Sequence, residues 1–152
     1  GAPMVVPAQN AAPEFFYSAH GSNGKNYVSA VNVTRGGYVG PVGLIPGGSF
    51  APAKVGDTLT IYATGFGATT PAQVPGVLAT AAADVTQSVT VQLGGVTLNA
   101  ADILYTGVAP TFAGLNQLNL RIPTGVSTGD QPLTITIGGI ASPANAVVTI
   151  GK

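Results

Sequence analysis

Apolar and polar residues alternate with a period of two along most of this chain. In Thr58–Thr64, Leu59, Ile61 and Ala63 fall on one face, and Thr58, Thr60, Tyr62 and Thr64 fall on the other. That is the pattern of a half-buried β-strand. Gly65 and Gly67 follow, giving the backbone the freedom to leave the sheet, and Phe66 between them is placed to plug the end of a sandwich. The same alternation recurs at Val89, Val91 and Leu93, at Leu118, Leu120 and Ile122, at Leu133, Ile135 and Ile137, and at Ala146, Val148 and Ile150. Gly94-Gly95 and Gly138-Gly139 supply the positive backbone angles of tight hairpin turns. No amphipathic stretch of helical length interrupts this series. Val77–Ala83, the one segment weighed as a helix, reads as part of a Pro- and Ala-containing loop from 68 to 84. Short strands with turn signals every eight to twelve residues or so indicate an antiparallel sandwich.

The first fifty residues read differently. Met4-Val5-Val6 is an apolar run between Pro3 and Pro7, the form of an edge strand. After a linker at 9–13, Glu14–Ser18 reads as a strand, His20–Asn26 as a polar turn and Tyr27–Val33 as the returning strand of a hairpin-like pair. A long Pro/Gly-rich connection covers 40–52, with one short strand expected at Val42–Ile45. The expected organisation is an N-terminal strand and hairpin extension over 1–50, packed on a sandwich domain over 51–152.

Composition sharpens this picture. Hydrophobic residues make up 45% of the 152, enough for a real core. Charged residues make up only 7%, against about 25% in ordinary soluble domains, and the net charge is zero. Nucleic acid is a poor partner for such a chain, which has no basic patch to neutralise phosphates. A low charge also removes the usual defence against self-association. Without cysteine there is neither a disulfide nor a thiolate metal site. No apolar run approaches the roughly 18 residues that span a membrane as a helix.

From Pro52 to Ile150 the chain resembles an uncharacterised C-terminal Ig-like domain family of acidobacterial secreted proteins, and more distantly the IPT/TIG branch of Ig-like domains. The resemblance lies in Pro52-Ala53-Lys54-Val55-Gly56-Asp57, Tyr62–Gly67, Val89–Val96, Tyr105-Thr106-Gly107-Val108-Ala109-Pro110, Gly114–Asn119, Ile122-Pro123-Thr124-Gly125 and Ile137–Ser142. It implies an exported, two-sheet Ig-like module of a secreted or cell-surface protein. It supplies no catalytic residues to carry over.

Catalytic chemistry is sparse. His20 is the only histidine, and a triad with Ser18 or Ser22 would need an acid and a strained nucleophile turn, whereas no Gly-x-Ser-x-Gly occurs. Asp57, Asp84, Asp102 and Asp130 are scattered singly, unlike the clustered oxygens of a calcium loop. Asp57 and Asp130 are expected to serve turns, Asn116 and Gln117 to satisfy backbone groups at a strand start, and Arg35 and Arg121 to be solvated or paired. An internal amide cross-link between Lys54 and Asn145 would need a desolvated amine, which a polar turn does not give. Asn32-Val33-Thr34 has the form of a glycosylation sequon.

The expectation is a non-catalytic extracellular or cell-surface module with no cofactor and no metal. It would work as a structural or adhesive protein that self-associates into a fibre or layer. Pro3, Met4, Val5, Val6 and Pro7, a run that in tandem proteins of the resembled family reads as the last strand of a preceding domain, are expected to fold back on their own domain or, as an open template, to serve as the inter-subunit strand. The alternative is a carbohydrate- or surface-binding module. Tyr17, Tyr27, Tyr38, Tyr62 and Tyr105 are then the candidate contacts beyond Phe, and tryptophan is absent.

Overall fold

A computed structural model describes residues 10–73 and 81–152. The strand expected at Pro3–Pro7 and most of the segment weighed as a helix lie outside these residues. In chain order the strands are β1 (Glu14–Phe15), β2 (Tyr17–His20), β3 (Asn26–Val28), β4 (Ala30–Asn32), β5 (Tyr38–Val39), β6 (Phe50–Ala51), β7 (Thr58–Thr64), β8 (Thr69–Thr70) and β9 (Asp84–Val85). They continue with β10 (Val89–Leu93), β11 (Val96–Thr97), β12 (Ile103–Val108), β13 (Asn116–Arg121), β14 (Gly129–Ile137), β15 (Ile140–Ala141) and β16 (Ala146–Ile150). The only helical turn among the described residues is a 3-10 turn at Ala100–Asp102.

Two sheets pack face to face as a β-sandwich. One has the order β6-β5-β4-β7-β13-β12-β9-β8, with β1 also paired to β7; the other has the order β11-β10-β14-β16-β3-β2, with β15 also paired to β14. Most pairs are antiparallel, as the short turns dictate. Two are parallel, β5 with β6 and β16 with β3, because a long connection lets each partner enter from the same end.

The core follows the alternation. Leu59, Ile61 and Ala63 are fully buried, as are Val91, Leu93, Leu118, Leu120, Leu133, Ile135 and Ile137, and Val148 is nearly so. Thr58, Thr60, Tyr62 and Thr64 remain half-exposed on the opposite face of β7. Phe66 is fully buried at the sandwich end. Gly65 has φ +76°, and a Cβ there would lie 2.1 Å from the Ala12 carbonyl oxygen. Glycine is required at that position because Ala12 N donates to Gly65 O at 2.8 Å, drawing the incoming chain against the corner. Gly94-Gly95 and Gly138-Gly139 have positive φ at both residues, so both hairpins turn as expected.

Three expectations need correcting. The hairpin-like pair at 14–33 forms where β2 pairs antiparallel with β3, but the segment is built into the sandwich and does not pack on it as an extension: β1 pairs with β7 in the first sheet, β2 and β3 join the second beside β16, and β4 returns to the first. The chain changes sheet at Phe16 and again at Ser29, and the core residues Phe15, Val28 and Ala30 flank these crossings. Sheet pairing therefore runs straight across the boundary placed at residue 50. Val42–Ile45 forms turns, not a strand, and leaves Val42 80% exposed. Pro41 and the glycines around it deny that segment a ladder. The strands of the connection are instead β5 and β6, which lie at the sheet edge.

Candidate functional site

Most of the polar groups that suggested chemistry in the sequence are held by internal bonds, while Asp84 is exposed. Asp57 is buried, with its side chain 2% exposed. Its carboxylate accepts from Asn32 Nδ2 at 2.9 Å, from Lys54 N at 2.9 Å and from Arg35 Nε at 2.8 Å. Burial alone would push this carboxyl up. The bonds from Asn32, the Lys54 amide and Arg35, together with the Arg35 charge, outweigh burial and hold it below the usual carboxylate range. Asp57 thus does serve its turn, through Lys54 N, and also ties β4 to the start of β7. Asn32 is committed to the same cluster: its Oδ1 accepts from Thr34 N and Arg35 N while its Nδ2 faces Asp57. The sequon asparagine is buried, with both its side-chain oxygen and nitrogen engaged in the folded chain.

Asp130 is not a turn residue. It lies in β14 opposite Thr149 of β16, and accepts from Thr149 Oγ1 at 2.7 Å, Tyr27 OH at 2.9 Å and Lys25 Nζ at 3.5 Å. Burial pushes its carboxyl up, but the Thr149 and Tyr27 hydroxyls and the Lys25 charge bring it below the ordinary value. The cluster fastens the parallel β16–β3 pair. Arg121 pairs with Asp102 at 3.4 Å and donates to Ala101 O at 3.0 Å. His20 Nδ1 lies 2.7 Å from Asn26 Oδ1, and its ring packs on Tyr17 at 5.4 Å. Neither Ser18 nor Ser22 is bonded to it. Lys54 and Asn145 are both exposed, so the amine has no desolvated pocket. No group of three or more potential metal-binding side chains occurs among the described residues. No helix there is long and apolar enough to cross a membrane.

Asn116 satisfies backbone groups as its position suggests, accepting from Phe66 N at 3.0 Å and donating to Gly107 O at 3.3 Å. Gln117 does not. It faces outward, and its Nε2 donates to Asn119 Oδ1 at 2.9 Å.

Among the described residues, the outer face of the first sheet forms an organised surface. Cross-strand register sets Phe50, Tyr38, Val31, Thr60, Asn119 and Tyr105 in one row, and Tyr62 and Gln117 in the next. Phe16 extends that second row, since its amide donates to Tyr62 O at 3.0 Å. Phe112, from the loop between β12 and β13, meets Tyr62 edge-on with centroids 6.2 Å apart. Tyr38 and Phe50 stack at 5.4 Å. Of the five tyrosines and five phenylalanines in the chain, Phe16, Tyr38, Phe50, Tyr62, Tyr105 and Phe112 share this one face.

The five tyrosines therefore divide. Tyr38 and Tyr62 present rings on the face. Tyr27 is buried under its bond to Asp130. Tyr17 packs on His20; burial, with Glu14 adding to it, raises its hydroxyl above the ordinary value. Tyr105 is a latch whose hydroxyl accepts from Ala83 N at 3.0 Å and donates to Val108 O. Sequence reasoning did not single out Phe16 and Phe112 among the phenylalanines, and it left out Asn119. The alternation of Leu118 and Leu120 already places Gln117 and Asn119 outward; nothing local places Phe112. Compared with known proteins, the chain matches no family model and no curated protein.

Proposed function

We propose that this chain is a non-catalytic, Ig-like structural or adhesive module acting outside the cell, working through contact surfaces and not through a reaction centre. The observation that carries the reading is the outer face of the first sheet. Its aromatic rings are interleaved with hydroxyls and amides. Neutral groups of this kind dock against another surface with little of the desolvation cost that charges carry. Asp57, Asp130, Arg35 and Arg121 are held in bonds to the protein's own strands, consistent with a scaffold role. The exported location rests on the resemblance of residues 52–150 to Ig-like domains of secreted proteins.

Self-association is part of the same proposal, with Pro3–Pro7 adding to the sheet of a neighbouring copy. The described strands offer open edges at β2, β6, β8 and β11. Head-to-tail addition of this type does not close on itself and builds a filament. Sedimentation velocity and negative-stain microscopy of the full chain, beside a variant lacking residues 1–9, test it. Concentration-dependent assemblies that disappear on deletion are expected. A strictly monomeric full chain at high concentration, or assemblies indifferent to the deletion, would refute self-association by this route.

A further inference from the structure

Phe16, Tyr62 and Gln117 stand side by side on the outer face of the first sheet. Phe112 rises beside Tyr62 with its ring plane turned by 67°. The two rings meet edge to face and make an angled aromatic corner. Phe112 stays 52% exposed and Phe16 44%, so the corner opens to solvent. The turn presenting Phe112 is strained. It runs Ala109-Pro110-Thr111-Phe112, closed by Phe112 N donating to Ala109 O at 3.3 Å, and Thr111 has φ +71°. That third position ordinarily takes glycine, and a β-branched residue there is a genuine outlier. Strain of this kind collects at sites that hold something in place.

The polar half of the corner is equally fixed. The Gln117–Asn119 bond uses Gln117 Nε2 and Asn119 Oδ1. Gln117 Oε1 and Asn119 Nδ2 accordingly remain as an acceptor and a donor on neighbouring outward positions. Adjacent hydroxyls of a pyranose can each donate and accept, and so fit such a pair. The same sugar, with equatorial hydroxyls, offers an apolar C–H face to an aromatic ring. Charge narrows the class further. Glu14 and Asp84 are exposed on this face by their register opposite Thr64 and Gly107, while Arg121 is paired with Asp102. An anionic polysaccharide would meet two acids here and be repelled.

The geometry points to a binding site for a neutral pyranose polysaccharide formed by Phe16, Tyr62, Phe112, Gln117 and Asn119. It rests on the adhesive reading and names the surface that is adhered to. One corner binds weakly, and many copies on one glycan chain would multiply the effect.

Calorimetric titration with cellohexaose and xylohexaose, with polygalacturonate as the anionic comparison, tests the site. Saturable binding of at least one neutral hexaose is expected, with none to polygalacturonate. Phe112→Ala should weaken binding by about tenfold, through loss of a stacked ring. Gln117→Leu should weaken it by about fivefold, through loss of the acceptor. Ile140→Ala, exposed on β15 in the second sheet, should leave it unchanged. Phe112 is an exposed loop residue, so its variant keeps the fold, which an unchanged melting temperature verifies. Failure of both hexaoses to bind at millimolar concentration overturns the site, as does equal binding by Phe112→Ala or preferential binding of polygalacturonate. Sedimentation reports self-association separately. Assemblies without glycan binding would sink the site alone, and glycan binding without assemblies would sink self-association alone.

Discussion

Replacing Asp57 by alanine should remove the fastening between β4 and β7. The carboxylate is the acceptor for Asn32 Nδ2, Lys54 N and Arg35 Nε, all within 3.0 Å. Breaking a buried charge cluster by removing one partner typically costs about 3–5 kcal/mol. The Arg35 side chain is 49% exposed and can turn to water, so its share is discounted toward the exposed-pair range. What remains is a buried Asn32 amide and a Lys54 N–H without an acceptor, each costing about 1–3 kcal/mol. The expected loss is about 3 kcal/mol. At a urea dependence of about 1.5 kcal/mol per molar, the unfolding midpoint falls by about 2 M. Arg35→Ala should lose about 1 kcal/mol or less. Acid supplies an internal check. The Asp57 carboxyl is held below its ordinary value, so the stabilisation is complete above the unfolded carboxylate range, near pH 4, and is lost as pH falls through the lower folded value. The gap between wild type and Asp57→Ala should therefore narrow as pH is lowered from about 5 to 2. A midpoint shift under about 0.5 M, a gap that widens in acid, or an Arg35→Ala variant as damaged as Asp57→Ala would each show that the buried bonds do not carry the stability assigned to them.

Gly65→Ala forces a Cβ to within 2.1 Å of Ala12 O at a backbone φ of +76°; a loss of about 2–4 kcal/mol is expected. Hydrogen exchange should show the amides of Ala12 and Phe16 deprotected first, and unchanged protection there would count against the corner as the anchor of β1. Thr106 faces the core opposite Leu118, and its Oγ1 is buried with no hydrogen-bond partner. Thr106→Val should gain about 1 kcal/mol in chemical denaturation, and a loss instead would mean that the hydroxyl finds a partner in solution.

Local pattern and side-chain chemistry carried the sequence a long way. Period-two alternation determined which residues of β7, β10, β13, β14 and β16 point inward, because a strand has only two faces and one must leave water. Glycine chemistry determined the Gly94-Gly95 and Gly138-Gly139 turns and the Gly65–Gly67 corner, since few other residues tolerate positive φ. Scarce charge determined that the polar part of the surface would rest on hydroxyls and amides. Tertiary structure decided what alternation cannot encode, which strand lies beside which. The hairpin at 14–33 reads as one local pair, and β2 does pair with β3, yet Phe15 is buried against Ala63 and Val28 belongs to the sheet of β16. Asp130 reads as a turn residue until β16 and β3 bring Thr149 and Tyr27 to it from distant positions in the chain. The aromatic face has the same origin. Phe16, Tyr62 and Phe112 are far apart in sequence and carry no shared motif, and only the order β1-β7-β13 with the loop after β12 sets their rings together. Pairing of distant strands is fixed by the total burial of the folded chain, which no short stretch of sequence contains.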